Sequence, residues 1–201
     1  MLDYINKTVT AIGDYPINWD VVNEAINDGP SQTMKTSPWS IVDDYICKAF
    51  KQARAVAGRN TKLYYNDYKH ASMLGKYKTK SDRVYEMVSM MKERGDECPI
   101  DGVGFQNHMD ITYSDENIEG IKKNVERYAF IGVEVQFTET DVRCNQFGDQ
   151  KCDYTGDWPQ EAIDRQAEIY GKILKICLEA SNCMNYESWG FTDKYTFLDD
   201  T

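Results

Sequence analysis

Apolar residues recur along the chain in two alternating rhythms. Leu2, Ile5, Val9 and Ile12 stand at helical spacing, and Ile17, Trp19, Val21 and Val22 then form a compact apolar run ending in Asn23 and Glu24. The spacing predicts a helix followed by a strand. Val42, Ile46, Ala49, Phe50, Ala53 and Val56 mark a second helix closed by Gly58, and Leu63, Tyr64 and Tyr65 lead as a strand into Asn66 and Asp67. Val84, Met87, Val88 and Met91 predict a third helix ahead of a strand at 102–106. Ile118, Ile121, Val125 and Tyr128 predict a fourth, ahead of a strand at 133–138 that ends at Glu139. Ile163, Ala167, Tyr170, Ile173, Leu174 and Cys177 form the last helix, which feeds a strand at 184–189. Five strands are legible.

Strict alternation implies parallel strands joined by right-handed crossovers, in an open sheet or a closed barrel. Connections from helix to strand are short, as at 58–61 and 131–132, while those from strand to helix are long and polar, as at 25–38 and 140–158. All the long loops therefore share one face, the arrangement of a TIM barrel whose chemistry sits after the strands. A nucleotide-binding open sheet is the rival, but no GxGxxG or GxxxxGK[ST] follows any strand. A complete barrel has eight strands, so the fold expected is α/β, an incomplete TIM (β/α)8 barrel with about five parallel strands. Residues 1–201 form a single partial catalytic domain in this reading, with no repeat and no second domain.

Charge narrows the partners. The 33 acidic residues exceed the 23 basic ones, giving a net charge of -10. Nucleic acid is an unfit partner for such a surface, because phosphate binding needs clustered Lys and Arg. No apolar run is long enough to span a bilayer. Fourteen Tyr, several beside Gly, Asn and Asp, would suit neutral sugar rings. With two His and no CxxC pair, no metal site or cofactor is expected. The cysteines include two close pairs, Cys144 with Cys152 and Cys177 with Cys183, which fit small disulfide loops of a secreted protein or buried free thiols.

Glu24 and Glu139 each end an apolar strand, on opposite sides of the expected barrel mouth. A single Glu in such a place serves equally to solvate a strand end or cap a helix. Two of them are the machinery of glycoside hydrolysis, where one carboxyl protonates the leaving oxygen and the other attacks the anomeric carbon. No metal or organic cofactor is needed.

The runs WDVVNEA at 19–25, YYNDY at 64–68, GVGFQNH at 102–108, FTETD at 137–141 and WGFTDKYT at 189–196 carry a specific combination of motifs. In order and spacing they resemble the endo-1,4-β-xylanases of glycoside hydrolase family 10. The resemblance covers nearly the whole chain, from the family's third barrel helix to just past its eighth strand, and leaves the first three strands without a counterpart. It implies that Glu24 is the general acid/base and Glu139 the nucleophile of a retaining mechanism. Glu24 would then be kept protonated by partial burial and the Glu139 charge. Asn23 would bind the sugar 2-hydroxyl, and Gln106 would be a substrate-site residue. His108 would partner the nucleophile, with Asp141 on its other ring nitrogen. Tyr65 and Asn66 would make contacts near the leaving-group sugar and the acid/base, and Trp189 would form an aromatic wall. Where the family usually has a second Trp, this chain has Phe197.

The resemblance also implies a Cys177–Cys183 disulfide, as in fungal members, and gives no pairing for Cys47 or Cys98. The expected partner is xylan or xylo-oligosaccharide, with a complementing chain as a possible source of the missing strands. The expected location is secreted, with a signal peptide upstream of Met1. Two other functions fit the residues: a related β-glucanase or cellulase-type glycosidase, and a non-catalytic carbohydrate-binding remnant.

Overall fold

The computed structural model describes residues 1–29, 33–144, 146–147, 150–151, 158–192, 195–196 and 198. Helix α1 (Leu2–Ile12) leads to β1 (Asn18–Asn23), and α2 (Tyr45–Val56) to β2 (Lys62–Asp67). Helix α3 (Lys78–Arg94) precedes β3 (Gly102–Phe105) and a short β4 (His108–Asp110). Helix α4 (Asp115–Phe130) leads to β5 (Glu134–Arg143), then a hairpin of β6 (Gln146–Phe147) and β7 (Gln150–Lys151). Helix α5 (Gln160–Glu179) and β8 (Cys183–Ser188) complete the order. The five strands read from periodicity are all present, paired in parallel in the order β1, β2, β3, β5, β8.

The strand read at 133–138 differs from the one observed. It continues through Arg143, so Glu139 and Asp141 lie inside β5 rather than past its end. Strand β4 explains the extension, because it pairs with the second half of β5 in the register His108↔Asp141 and supplies partners for backbone groups that would otherwise face solvent.

Alternation along the strands builds two unlike faces. Leu63, Tyr65, Val103, Phe105, Val135 and Phe137 are fully buried, in one core with Phe50, Val84, Val88, Ile121, Val125, Ile169 and Ile173 from the helices. The intervening residues Tyr64, Asn66, Gly102, Gly104, Gln136 and Thr138 form the opposite, polar face. Two glycines there are obligatory by proximity. A Cβ on Gly102 would collide with the Tyr64 ring, and one on Gly104 with Asn66 Oδ1 and Thr138 Cγ2. Tyr64 thus reaches Glu134, its hydroxyl donating to Oε2 at 2.6 Å, and Asn66 reaches across the sheet to the strand ends.

Helix α4 begins at an N-cap, Ser114, whose hydroxyl accepts from Asn117 N–H, with Asp115 and Glu116 in the first turn. Cys177–Cys183 is a disulfide that joins the end of α5 to β8. A second bridge, Cys47–Cys98, ties α2 to the segment before β3. Cys144 is disulfide-bonded, while Cys152, its expected partner, lies outside the described residues, as does Phe197. No described helix is long and apolar enough to cross a membrane.

Candidate active site

Strand ends β1, β2, β3 and β5 deliver one polar residue after another to the same place. Glu139 stands on β5 with both carboxylate oxygens engaged: Asn66 Nδ2 donates to Oε1 at 3.0 Å, and His108 Nε2 lies 3.2 Å from Oε2. His108 Nδ1 is 2.6 Å from Asp141 Oδ2, and Asp141 is buried. Burial works against the imidazolium, but the Asp141 hydrogen bond and charge, then Glu139, prevail and hold the His108 pKa above its ordinary value. Two carboxylates gripping one ring fix its orientation.

Asn66 links the two halves of the site. Its Nδ2 also lies 3.1 Å from Asn23 Oδ1, and its own Oδ1 accepts from Thr138 Oγ1 at 2.8 Å, which settles the amide orientation. Gln106, buried at the end of β3, donates from Nε2 to Glu24 Oε1 at 2.9 Å and approaches Asn23 Oδ1 at 3.3 Å. A continuous chain of side-chain hydrogen bonds therefore runs from Glu24 through Gln106, Asn23 and Asn66 to Glu139.

Glu24 follows β1 in a left-handed conformation, φ 55°, and its N–H donates to Asn66 O at 2.9 Å. For a residue with a Cβ this backbone is strained by about 1 kcal/mol, so its surroundings must hold it. Tyr65 does so. Its hydroxyl accepts from the N–H groups of Ala25 at 2.9 Å and Ile26 at 3.1 Å and donates to Asp67 Oδ2 at 2.5 Å. The Tyr65 side chain, expected near the leaving-group sugar and the acid/base, is fully buried on the helix-facing side and supports the Glu24 turn from behind. Asn66, one residue on, faces Asn23 and Glu139.

The ionisation expected for Glu24 is corrected. Burial is the largest influence and raises its pKa, but the Gln106 hydrogen bond and the nearby Lys35 and Lys80 ammoniums outweigh it, and the carboxyl titrates below the ordinary glutamate value. The sequence reading omitted both lysines. Lys35 Nζ lies 3.5 Å from Glu24 Oε2 and donates to the Tyr68 hydroxyl at 3.0 Å. Lys80 is buried between Asp67 at 2.8 Å and Asp28 at 2.7 Å, with its ammonium 3.6 Å from the Tyr68 ring centroid. Tyr68 was visible as the last letter of YYNDY, two residues past Asn66. The lysines gave no local signal, because they join the site across 11 and 56 residues of chain.

Trp189, half exposed, follows β8, and its N–H donates to Thr140 O at 3.2 Å, beside Glu139. On β1, Asp20 keeps an exposed side chain, and loss of part of its hydration beside the sheet, then the charges of Glu139 and Glu187, raise its pKa. A cavity of about 330 Å³ opens beside Glu24, lined by Val22, Asn23, Glu24, Lys35, Trp39 and Tyr45 among others.

Comparison with known proteins places this arrangement. The Glycosyl hydrolase family 10 sequence profile matches residues 1–201. The chain belongs to this family. Endo-1,4-beta-xylanase B of Thermotoga neapolitana is 39% identical over 198 residues, covering 98% of the chain and 51% of that relative. Endo-1,4-beta-xylanase A of Caldicellulosiruptor saccharolyticus is 36% identical over 202 residues, covering 98% and 56%. The crystal structure of xylanase 10B from Thermotoga petrophila RKU-1 in complex with xylobiose superposes with a TM-score of 0.83 at 33% identity, over 99% of the chain and 55% of that structure. The family 10 chain described here thus spans about half the length of the curated relatives it matches, and its parallel strands and helices form part of a family 10 TIM barrel.

Proposed function

We propose that the chain carries the catalytic carboxylate pair of a retaining endo-β-1,4-xylanase, with Glu139 as nucleophile and Glu24 as acid/base. The observation that carries this reading is the hydrogen-bonded chain Glu24–Gln106–Asn23–Asn66–Glu139, which joins two carboxylates of different environment at the ends of parallel strands. Glu139, held by Asn66 and His108, attacks the anomeric carbon. Glu24 gives its proton to the leaving oxygen and, once Glu139 is glycosylated and neutral, takes a proton from the attacking water. Asn23, whose Oδ1 is already fixed by two amides, turns its own amide nitrogen to the sugar 2-hydroxyl, and Trp189 offers an indole face to the sugar ring. Xylan and xylo-oligosaccharides are the substrates in this reading, in keeping with the xylobiose in a related structure.

Further barrel strands, from more of the same polypeptide or from a complementing chain, would pair with β1 and cover the cavity beside Glu24. The Cys47–Cys98 and Cys177–Cys183 bridges support an oxidising, secreted setting. A second reading, a carbohydrate-binding remnant without turnover, is favoured by the side of β1 that has no strand partner among the described residues. Hydrolysis of an aryl β-xylobioside, with the anomeric configuration of the first product followed by NMR, tests the proposal beside calorimetric binding of xylo-oligosaccharides. Turnover with retention is expected. Inversion overturns the mechanism, and binding without turnover selects the remnant.

A further inference from the structure

The segment after Glu24 doubles back on itself. Asn27 N–H donates to Thr33 O at 2.9 Å, Lys35 N–H donates to Ala25 O at 2.8 Å, and Ile26 bridges Met34 in antiparallel fashion. Lys35 is therefore held in register with the backbone immediately following Glu24. Its side chain is directed as firmly as its backbone: Nζ donates to the Tyr68 hydroxyl at 3.0 Å, stands 4.5 Å from the Tyr68 ring centroid and 3.5 Å from Glu24 Oε2. Tyr68 is in turn fixed against the buried Lys80, which Asp67 and Asp28 hold from behind.

We infer that Lys35 is a positioning residue for Glu24, holding that carboxylate in one orientation and in its charged form from a platform made by Tyr68 and Lys80. The two Glu24 oxygens are divided between two donors of different kind, Gln106 on Oε1 and Lys35 on Oε2. Gln106 is neutral and fixes direction, whereas Lys35 adds charge. The other charged groups around the pair come from three elements: Lys80 from α3, Asp67 and Lys69 from β2 and its loop, and Asp28 from the loop after β1. Asp67 is paired with Lys80, and Asp28 with Lys80 and Lys69, two cations against two acids, so the acids near Lys35 do not cancel its action on Glu24. Lys35 is correspondingly shifted upward, with burial opposing and Tyr68, Asp67 and Glu24 prevailing.

The consequence for chemistry rests on the role proposed above for Glu24. Lys35 favours the form that activates water and opposes the form that protonates the leaving group, which divides its effect unequally between the two half-reactions. The physical linkage itself stands apart from that role, and its test reads Glu24 directly.

The full chain, labelled with ¹³C at glutamate side-chain carboxyls, is titrated by NMR, with the Glu24 signal assigned by its absence in Glu24→Gln. In Lys35→Met the Glu24 midpoint should move upward, in Lys35→Arg it should stay near the parent, and in Lys122→Met, which removes an exposed charge from α4, it should not move. Added salt should narrow the gap between parent and Lys35→Met, since both partners are partly exposed. Lys35→Gln provides a second charge-free variant should Met perturb the fold. A Glu24 midpoint unchanged in both charge-free variants, or moved equally by Lys122→Met, overturns the inference. A shifted midpoint in a chain without turnover leaves Lys35 in place and removes the proposed enzymatic role instead.

Discussion

Glu139 sits within β5, a strand paired on both sides, whereas Glu24 follows β1, whose one partner among the described strands is β2. The central strand fixes its carboxylate by backbone ladders and by the Asn66 and His108 contacts. The edge strand gives no such frame, so Glu24 is held by a strained turn, one buried tyrosine hydroxyl, an amide and a lysine. The difference teaches how one fold can equip two like side chains for the unlike tasks proposed for them. In the proposed mechanism the nucleophile, which must stay ionised and still, is set in the rigid middle, and the group that must change protonation is set where few, separable contacts decide its charge.

The largest test of that comparison is kinetic. Glu139→Ala should lower turnover of every β-xylobioside by about 10⁴-fold or more, and azide should yield product of inverted configuration. Glu24→Ala should still release a dinitrophenolate leaving group in a burst, then turn over slowly until azide restores the second step with retention. Equal losses on activated and natural substrates, with no rescue in either variant, would break the proposed division of roles.

Packing separates the two strands next. Phe137→Ala, in the core beneath Glu139, should cost about 3–5 kcal/mol in urea unfolding. Val21→Ala on β1 should cost about 1 kcal/mol, because Val21 is only half-buried. Comparable costs would mean that β1 is as tightly packed as the centre. Between these two lies the effect expected of Tyr65→Phe, about 1–3 kcal/mol, since it strands the N–H groups of Ala25 and Ile26. Hydrogen exchange at those two amides should accelerate while that of β5 is unchanged.

The smallest effect concerns pH. Because the folded His108 pKa is raised above its unfolded value of 6.5, its contribution to stability is fully present below about 6.5 and fades as pH rises through the folded value. The stability difference between the parent and His108→Gln should therefore be greater near pH 5.5 than near pH 9. A difference independent of pH would show that His108 contributes through packing alone.

Much of this architecture was legible in the sequence because periodicity reports which face a residue occupies. The strands at 62–67 and 102–105 and their intervening helices follow from it directly, and so does the side of the sheet on which Asn66 lies. The same rule applied to Tyr65, which alternates with Leu63 and Asp67, places it in the core, and only its neighbourhood in YYNDY suggested otherwise. Strand β4 was hidden because three residues carry no period. The left-handed turn at Glu24 was hidden because glutamate gives no sign of positive φ. Lys35 and Lys80 escaped notice for a different reason: a solvated lysine and one drawn into a site look alike until the fold brings their partners together. Cys47 and Cys98, 51 residues apart, were equally silent.

That last bridge has a bearing on survival of the molecule after damage. Cys47–Cys98 closes a ring of chain containing β2 and α3, and with them Asn66, Tyr68 and Lys80. A protease cutting once inside the ring, for instance at exposed Lys76, opens it without producing two molecules. The severed ends remain parts of one covalent body, and the fragment bearing Glu24 stays attached to the fragment bearing Glu139. In a reducing medium the same cut releases them. The redox state of the surroundings thus decides whether a nick beside the site is a repairable wound or a dismemberment.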